Sequence, residues 1–366
     1  MASDTTPEPA MPSRAALVDF FSRGLAAFQS SKEAFRVVCT LSRRGGYDDT
    51  TAPVPRPPRE ERPPRRVRSL VVLDSSFNPP TLAHLRMAVS AVRDLRRSGG
   101  GDGGSREASA VRLLLLLAVN NADKKPQPAA FPVRLGMMHA FARDLLDELR
   151  SAPSLAKGNG EQEQEQEQEQ EQEQEQEQEQ EQEQKVTEGH DEEDGEMEVD
   201  LGLTTMPYFH DKSQAISDAG FYVVDGEGPE QVYLAGYDTL VRIFNPKYYN
   251  ASSTGDRDGG VTPIQRALDP FLERSKLRIT MRADDEWGSE TDQAAHLERL
   301  RDGGLEEVGG RAAWAERVEM VRGVGEVVSS TRVRRAAKQR DEDALGRLVG
   351  PRVKEWVLSE GLYHEE

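Results

Sequence analysis

The chain has 366 residues and a formal net charge of −18, but residues 161 to 200 hold 20 Asp and Glu against the single Lys185, so the remainder sums to +1. That near-neutral remainder excludes a globally acidic surface and a nucleic-acid binder with a basic folded face. One cysteine, Cys39, excludes an internal disulfide framework and a cysteine-cluster zinc site, and no metal ligands held by the protein are expected.

In chain order, residues 1 to 13 read as disordered. Residues 14 to 41 carry a helical stripe of Leu17, Phe20, Phe21, Leu25 and Phe28, with Ser13 as a candidate cap. Residues 51 to 68 are rich in Pro and Arg and read as an extended linker, so 14 to 68 is expected to be a helical extension ahead of the main domain. From Ser69 the pattern changes. Ser69 to Leu73 predicts a buried strand and Thr81 to Arg97 a helix. After the glycine-rich loop 98 to 105, Val111 to Val119 predicts a second strand and Pro132 to Arg150 a second helix.

An interruption follows at 151 to 200. It contains twelve Glu-Gln pairs from Glu161 to Gln184 and then an acidic tract. Such a composition has nothing to bury and repels itself, which predicts a disordered insert. The pattern resumes with strands at Phe221 to Val224 and Val232 to Ala235 and a helix near Thr239 to Phe244. A strand at Leu277 to Met281 comes next, and helices near 330 to 340 and 351 to 360 close the chain. Strands alternating with helices predict an α/β fold. It is a Rossmann-like three-layer α/β/α domain over 69 to 366 with a mostly parallel sheet, and ligands bind beyond the carboxyl ends of the strands. The longest apolar run, Leu113 to Val119, is too short to span a bilayer. Asp4 and Glu8 sit near the start with no apolar signal core, so the cytoplasm or nucleus is the expected compartment.

Four stretches carry chemistry. Asp74-Ser75-Ser76-Phe77-Asn78-Pro79-Pro80-Thr81-Leu82-Ala83-His84 lies where the first strand hands over to a helix. Thr81 and His84, three apart, share a face at a helix start, where free N–H groups and the dipole favour phosphate. A capped helix with a satisfied histidine is the plainer alternative. Val328-Ser329-Ser330-Thr331-Arg332-Val333-Arg334 places three hydroxyls before a helix and an Arg one turn on. This exceeds what capping needs and suits a polyphosphate. Asn120 to Lys125 puts Lys124 and Lys125 in a polar loop after the second strand. Gly236-Tyr237-Asp238 follows the strand 232 to 235 and reads equally as a ligand contact or as a turn with Asp238 as an N-cap.

Together the stretches resemble the nucleotidylyltransferases of the H-x-G-H superfamily, above all the nicotinamide mononucleotide adenylyltransferases in their eukaryotic and fungal branch. The resemblance spans 69 to 150 and 221 to 363 and ends on Glu360-Gly361-Leu362-Tyr363. It implies transfer of AMP from ATP to nicotinamide mononucleotide, with Mg²⁺ carried by the ATP. His84, Thr81 and Arg334 would be catalytic. Ser75, Ser76, Phe77, Lys124, Lys125, Ser329, Ser330 and Thr331 would line the phosphates, and Gly236, Asp238 and Arg282 the nucleotides. Ser75 and Ala83 stand where the family has Gly. The family's Trp that stacks on nicotinamide has no counterpart, leaving Tyr208 and Phe209, or Tyr248 and Tyr249, to take its place. Alternatives are a cytidylyltransferase, a pantetheine-phosphate adenylyltransferase, a slow ATP hydrolase, or a nucleotide-binding scaffold working through its acidic insert.

Overall fold

The structure, a computed structural model, describes residues 13–42, 66–98, 110–119, 129–151, 197–249, 260–282, 287–323 and 328–364. Among these residues seven strands form one sheet: β1 (Phe35–Ser42), β2 (Val67–Asp74), β3 (Ala110–Ala118), β4 (Glu198–Thr204), β5 (Glu230–Gly236), β6 (Ser275–Thr280) and β7 (Val318–Val321), in the order β1-β4-β3-β2-β5-β6-β7. Every pairing is parallel except that of β1 with β4.

The main helices are α1 (Arg14–Ser30), α2 (Leu82–Ser98), α3 (Phe131–Arg150), α4 (Phe209–Asp218), α5 (Tyr237–Ile243), α6 (Pro263–Arg274), α7 (Glu290–Arg299), α8 (Ser330–Gln339), α9 (Glu342–Leu348) and α10 (Pro351–Ser359). One core joins α1, α2, α3, α8, α9 and α10 to one face of the sheet, and a second joins α4 to α7 to the other. The result is the expected three-layer α/β/α architecture. No described helix is long and apolar enough to cross a membrane.

The N-terminal segment departs from expectation. The stripe on α1 is real: Leu17, Phe21, Leu25 and Phe28 are buried, each worth roughly 1.5–3 kcal/mol. Ser13 caps the helix, its Oγ accepting the Ala16 N–H at 3.2 Å. The helix stops at Ser30, however, and residues 35 to 42 are strand. Val37, Val38 and Thr40 are β-branched and favour a pleated backbone. Strand β1 adds to the sheet and α1 contributes to its core, so this segment is built into the fold.

The second departure is β4. Residues 152–196 lie outside the described ones, but the tract's last three residues, 198–200, belong to the sheet. Met197, Val199, Leu201 and Leu203 alternate and all are buried. The intervening Glu198 and Asp200 are partners of the buried Arg112 on β3, whose Nε and Nη2 donate to Asp200 at 2.6 and 2.9 Å. Thr40 and Tyr222 hydroxyls also donate to Asp200, at 2.6 and 2.9 Å. Two acids that look like solvated charge are therefore a satisfied buried network.

Nor do residues 221 to 224 form a strand. Gly220, Asp225 and Gly226 take positive φ, and the segment folds as tight turns with a single Val224–Glu227 bridge. Tyr222 goes to the Arg112 network instead.

Candidate nucleotide site

Chain order runs from β2 outward through β3 to β4, then returns to the other side of β2 and runs outward through β5, β6 and β7. The reversal leaves a crevice at the carboxyl ends of β2 and β5, where open α/β sheets take their ligands. Asp74 ends β2 and Gly236 ends β5, so the 74 to 84 and 236 to 238 stretches meet there.

After Asp74 the chain turns through Ser75 to Thr81. Phe77 takes φ 44° and is fully buried, its ring 5.7 Å from that of His84 and 6.4 Å from that of Phe141. Ser75 does not require positive φ, so a side chain is tolerated where the family has Gly. His84 is held at both ring nitrogens. Its Nδ1 accepts the Thr81 backbone N–H at 3.0 Å and lies 2.9 Å from Thr81 Oγ1, while its Nε2 lies 3.0 Å from Ser75 Oγ. A backbone N–H can only donate, so Nδ1 carries no proton and neutral His84 has its hydrogen on Nε2. Burial lowers its pKa to about 4, which makes it a neutral donor near pH 7.

The late motif docks on this turn. Ser330 Oγ donates to the Pro79 carbonyl at 2.9 Å, and Arg334 donates from Nη1 to the Asn78 carbonyl at 2.9 Å and from Nη2 to Thr331 Oγ1 at 3.2 Å. Tyr363, from the closing motif, donates to Asn78 Oδ1 at 2.9 Å. Ser329 is the N-cap of α8, accepting the Arg332 N–H at 3.3 Å. Two stretches some 250 residues apart in sequence therefore share one anchorage, Asn78–Pro79.

At β5 the N-cap of α5 is Gly236, so Asp238 lies within the first turn and is not the cap. A Cβ on Gly236 would stand 2.8 Å from Asp238 Oδ1 and 3.9 Å from Arg282 Cδ. The Asp238 carboxylate thus lies close over the strand end, and a larger residue at 236 would have to push it aside. The Arg282 backbone is gripped by fully buried Gln293 of α7, which accepts its N–H at 3.1 Å and donates to its carbonyl. Lys124 and Lys125 lie outside the described residues.

Other residues at this edge escaped the sequence reading. Lys212 of α4 forms a buried ion pair with Asp74. Beside it Tyr208 stacks on His210, with centroids 5.6 Å apart and planes 4° from parallel, and His210 lies 5.6 Å from Tyr249. Tyr208 and Tyr248 are both exposed, while Phe209 turns inward onto Tyr233. Tyr208 and Tyr249, drawn from the two candidate aromatic pairs, thus meet in one patch. The signal for α4 was its 3.6-residue apolar spacing over Phe209, Ala215 and Ile216, short and diluted by polar residues.

No family model matches the chain. Among solved structures, the Plasmodium falciparum nicotinic acid mononucleotide adenylyltransferase complexed with NaAD has a TM-score of 0.39 at 10% identity, over 81% of this chain and 97% of that one. A Vibrio parahaemolyticus protein described as a "putative nicotinate-nucleotide adenylyltransferase" gives 0.30 at 14% identity, over 82% and 98%. Both likenesses are distant. In sequence, a Schizosaccharomyces pombe protein named "putative nicotinamide mononucleotide adenylyltransferase" is 30% identical over 287 residues, covering 77% of this chain and 81% of the relative. On that similarity the chain belongs to the nicotinamide mononucleotide adenylyltransferase family.

Proposed function

We propose that this protein transfers AMP from ATP to nicotinamide mononucleotide, forming NAD and pyrophosphate. The observation that carries the reading is the shared anchorage at Asn78–Pro79. Through Ser330 and Arg334 it brings a histidine, hydroxyls, an arginine and a helix start to one end of the switch-point crevice. A phosphate oxygen of the acceptor attacks the α-phosphorus of ATP in line. The new O–P bond forms as the bond to the β-phosphate oxygen breaks, and pyrophosphate leaves with the electron pair. The protein contributes position and charge neutralisation.

Because His84 is neutral, it supplies a hydrogen bond and not a charge. Positive charge on the outer phosphates falls to Arg334, with Lys124 and Lys125 assigned to the same role from sequence. Ser329, Ser330 and Thr331 supply hydroxyls, and Ser76 and Phe77 supply backbone beside the phosphates. Thr81 orients the imidazole. Asp238 and Arg282 at the β5 and β6 ends suit the nucleoside portions, and the Tyr208–His210–Tyr249 patch offers ring faces to the pyridine. Mg²⁺ carried by the ATP would supply further charge neutralisation at its phosphates, and no side chain of this protein is assigned to hold it.

The test is mass detection of the dinucleotide formed from ATP with nicotinamide mononucleotide, run beside nicotinic acid mononucleotide. NAD and pyrophosphate in equal amounts are expected. Hydrolysis of ATP without any dinucleotide would sink the reading.

A further inference from the structure

We infer that the Ser75 hydroxyl is the donor that meets the transferred phosphate, and that His84 acts through it as a positioning residue. The inference rests on the proposed adenylyl transfer for the identity of the phosphate, but its geometry stands apart from it. The Thr81 N–H fixes Nδ1 as an acceptor, so the only imidazole hydrogen is on Nε2. That nitrogen lies 3.0 Å from Ser75 Oγ, and a neutral Nε2–H can only donate to it. Both ring nitrogens are then satisfied within the protein.

The serine oxygen accepts from the imidazole, which leaves its own O–H free to turn elsewhere. Ser75 is half-buried and directly follows Asp74, at the carboxyl end of β2, on the edge of the crevice. Its amide N–H is spent on the Leu116 carbonyl at 3.3 Å, so the hydroxyl is the donor it can offer outward. Hydrogen bonds in a chain polarise one another, so an imidazole donating to Oγ makes the serine O–H a better donor to phosphoryl oxygen. No proton changes owner in this arrangement. A glycine at position 75, as in the family pattern, would instead leave Nε2–H open to touch phosphate directly. The serine therefore changes which atom touches the substrate while retaining the histidine.

Two measurements test this. In the first, Ser75→Ala, Ser75→Gly and Ser75→Thr are assayed for dinucleotide formation. Removing the hydroxyl should lower kcat about 10- to 100-fold while KM for the acceptor holds, and Ser75→Thr should recover most of the loss. An alanine variant as fast as the wild type overturns the inference, whereas the glycine variant, whose Nε2–H can reach phosphate directly, should lose less than alanine. In the second, the full chain carrying ¹⁵N-labelled histidine is titrated with ATP, which needs no turnover. The wild type should show a protonated Nε2 and a bare Nδ1, with Nε2 moving little on ATP addition and far more in Ser75→Ala. Equal movement in the two proteins, or none in either, overturns the relay. Absence of dinucleotide from the wild type would defeat the proposed function alone, since the titration still decides the relay.

Discussion

On the α2 side of the sheet's carboxyl edge, the side chains are held by hydrogen bonds without an ion pair: His84 to Ser75, Ser330 to Pro79, Arg334 and Tyr363 to Asn78. On the α4 side, the Asp74–Lys212 ion pair and a run of ring contacts do that work. The first side is assembled from short motifs whose spacing can be read off the chain. The second comes from residues that become neighbours only after β4 and α4 are in place. One side thus suits fixed geometry around a phosphate. The other stores its stability in a charge pair and leaves Tyr208 and Tyr248 open to solvent.

The largest effect should come from breaking the α4 side. The carboxylate of Asp74 and the Lys212 ammonium are almost wholly removed from water, with side chains 10% and 6% exposed. Asp74→Ala strands a buried ammonium, and about 3–5 kcal/mol of stability should be lost in urea unfolding. The double variant Asp74→Ala/Lys212→Met should recover much of it. If the single variant is as stable as the wild type, water reaches the pair and the contrast between the sides collapses.

His84→Ala probes the other side. It should lower kcat about 100-fold, because the Ser75 hydroxyl loses the imidazole that positions and polarises it, while the fold survives in circular dichroism. Its stability loss should be smaller than that of Asp74→Ala, since the partners it abandons, Ser75 Oγ and the Thr81 N–H, are neutral and no buried charge is stranded. Turnover like the wild type would place the phosphate elsewhere. Arg334→Lys comes next, with KM for ATP expected to rise about tenfold. A lysine cannot hold both the Asn78 carbonyl and Thr331 Oγ1, so a small drop in Tm accompanies it. A large drop with KM unchanged would make Arg334 a tie for the turn alone.

What the sequence disclosed follows the same division. Strands β2 and β3 and helices α2 and α3 were legible because long apolar runs and clear 3.6-residue periods mark them. His84, Ser330 and Arg334 were legible because their motifs are local. Strand β4 was hidden because Glu198 and Asp200 extend a charge tract, and nothing nearby in sequence announces Arg112 as their partner. Lys212 was hidden for the same reason, its significance lying in Asp74, 138 residues away. Asp238 resembled an N-cap because capping and ligand contact draw on the same residue types. The structure places the cap two residues earlier, at Gly236, a boundary that composition does not encode.

The smallest expected effect is on the pH dependence of stability, and it isolates the hydrogen-bonded side. Burial lowers the His84 pKa from 6.5 to about 4, so between these values the unfolded chain binds a proton that the folded one refuses. Stability linked to this ring is therefore complete above about pH 6.5. It falls as pH drops through the window and is gone below about 4. His84 as a residue is half-buried, so the loss should be about 1 kcal/mol and not the full value for such a shift. His139, lowered to about 3 by burial and the nearby Arg143, and His210, also lowered, titrate in overlapping windows. The measurement must therefore be a difference. Urea unfolding of the wild type and of His84→Asn, each at pH 7 and pH 5, cancels what the other histidines share. The wild type should lose about 1 kcal/mol more between the two values than the variant does. Equal losses would show that the imidazole is hydrated, and a hydrated ring has no need of Ser75 as its acceptor.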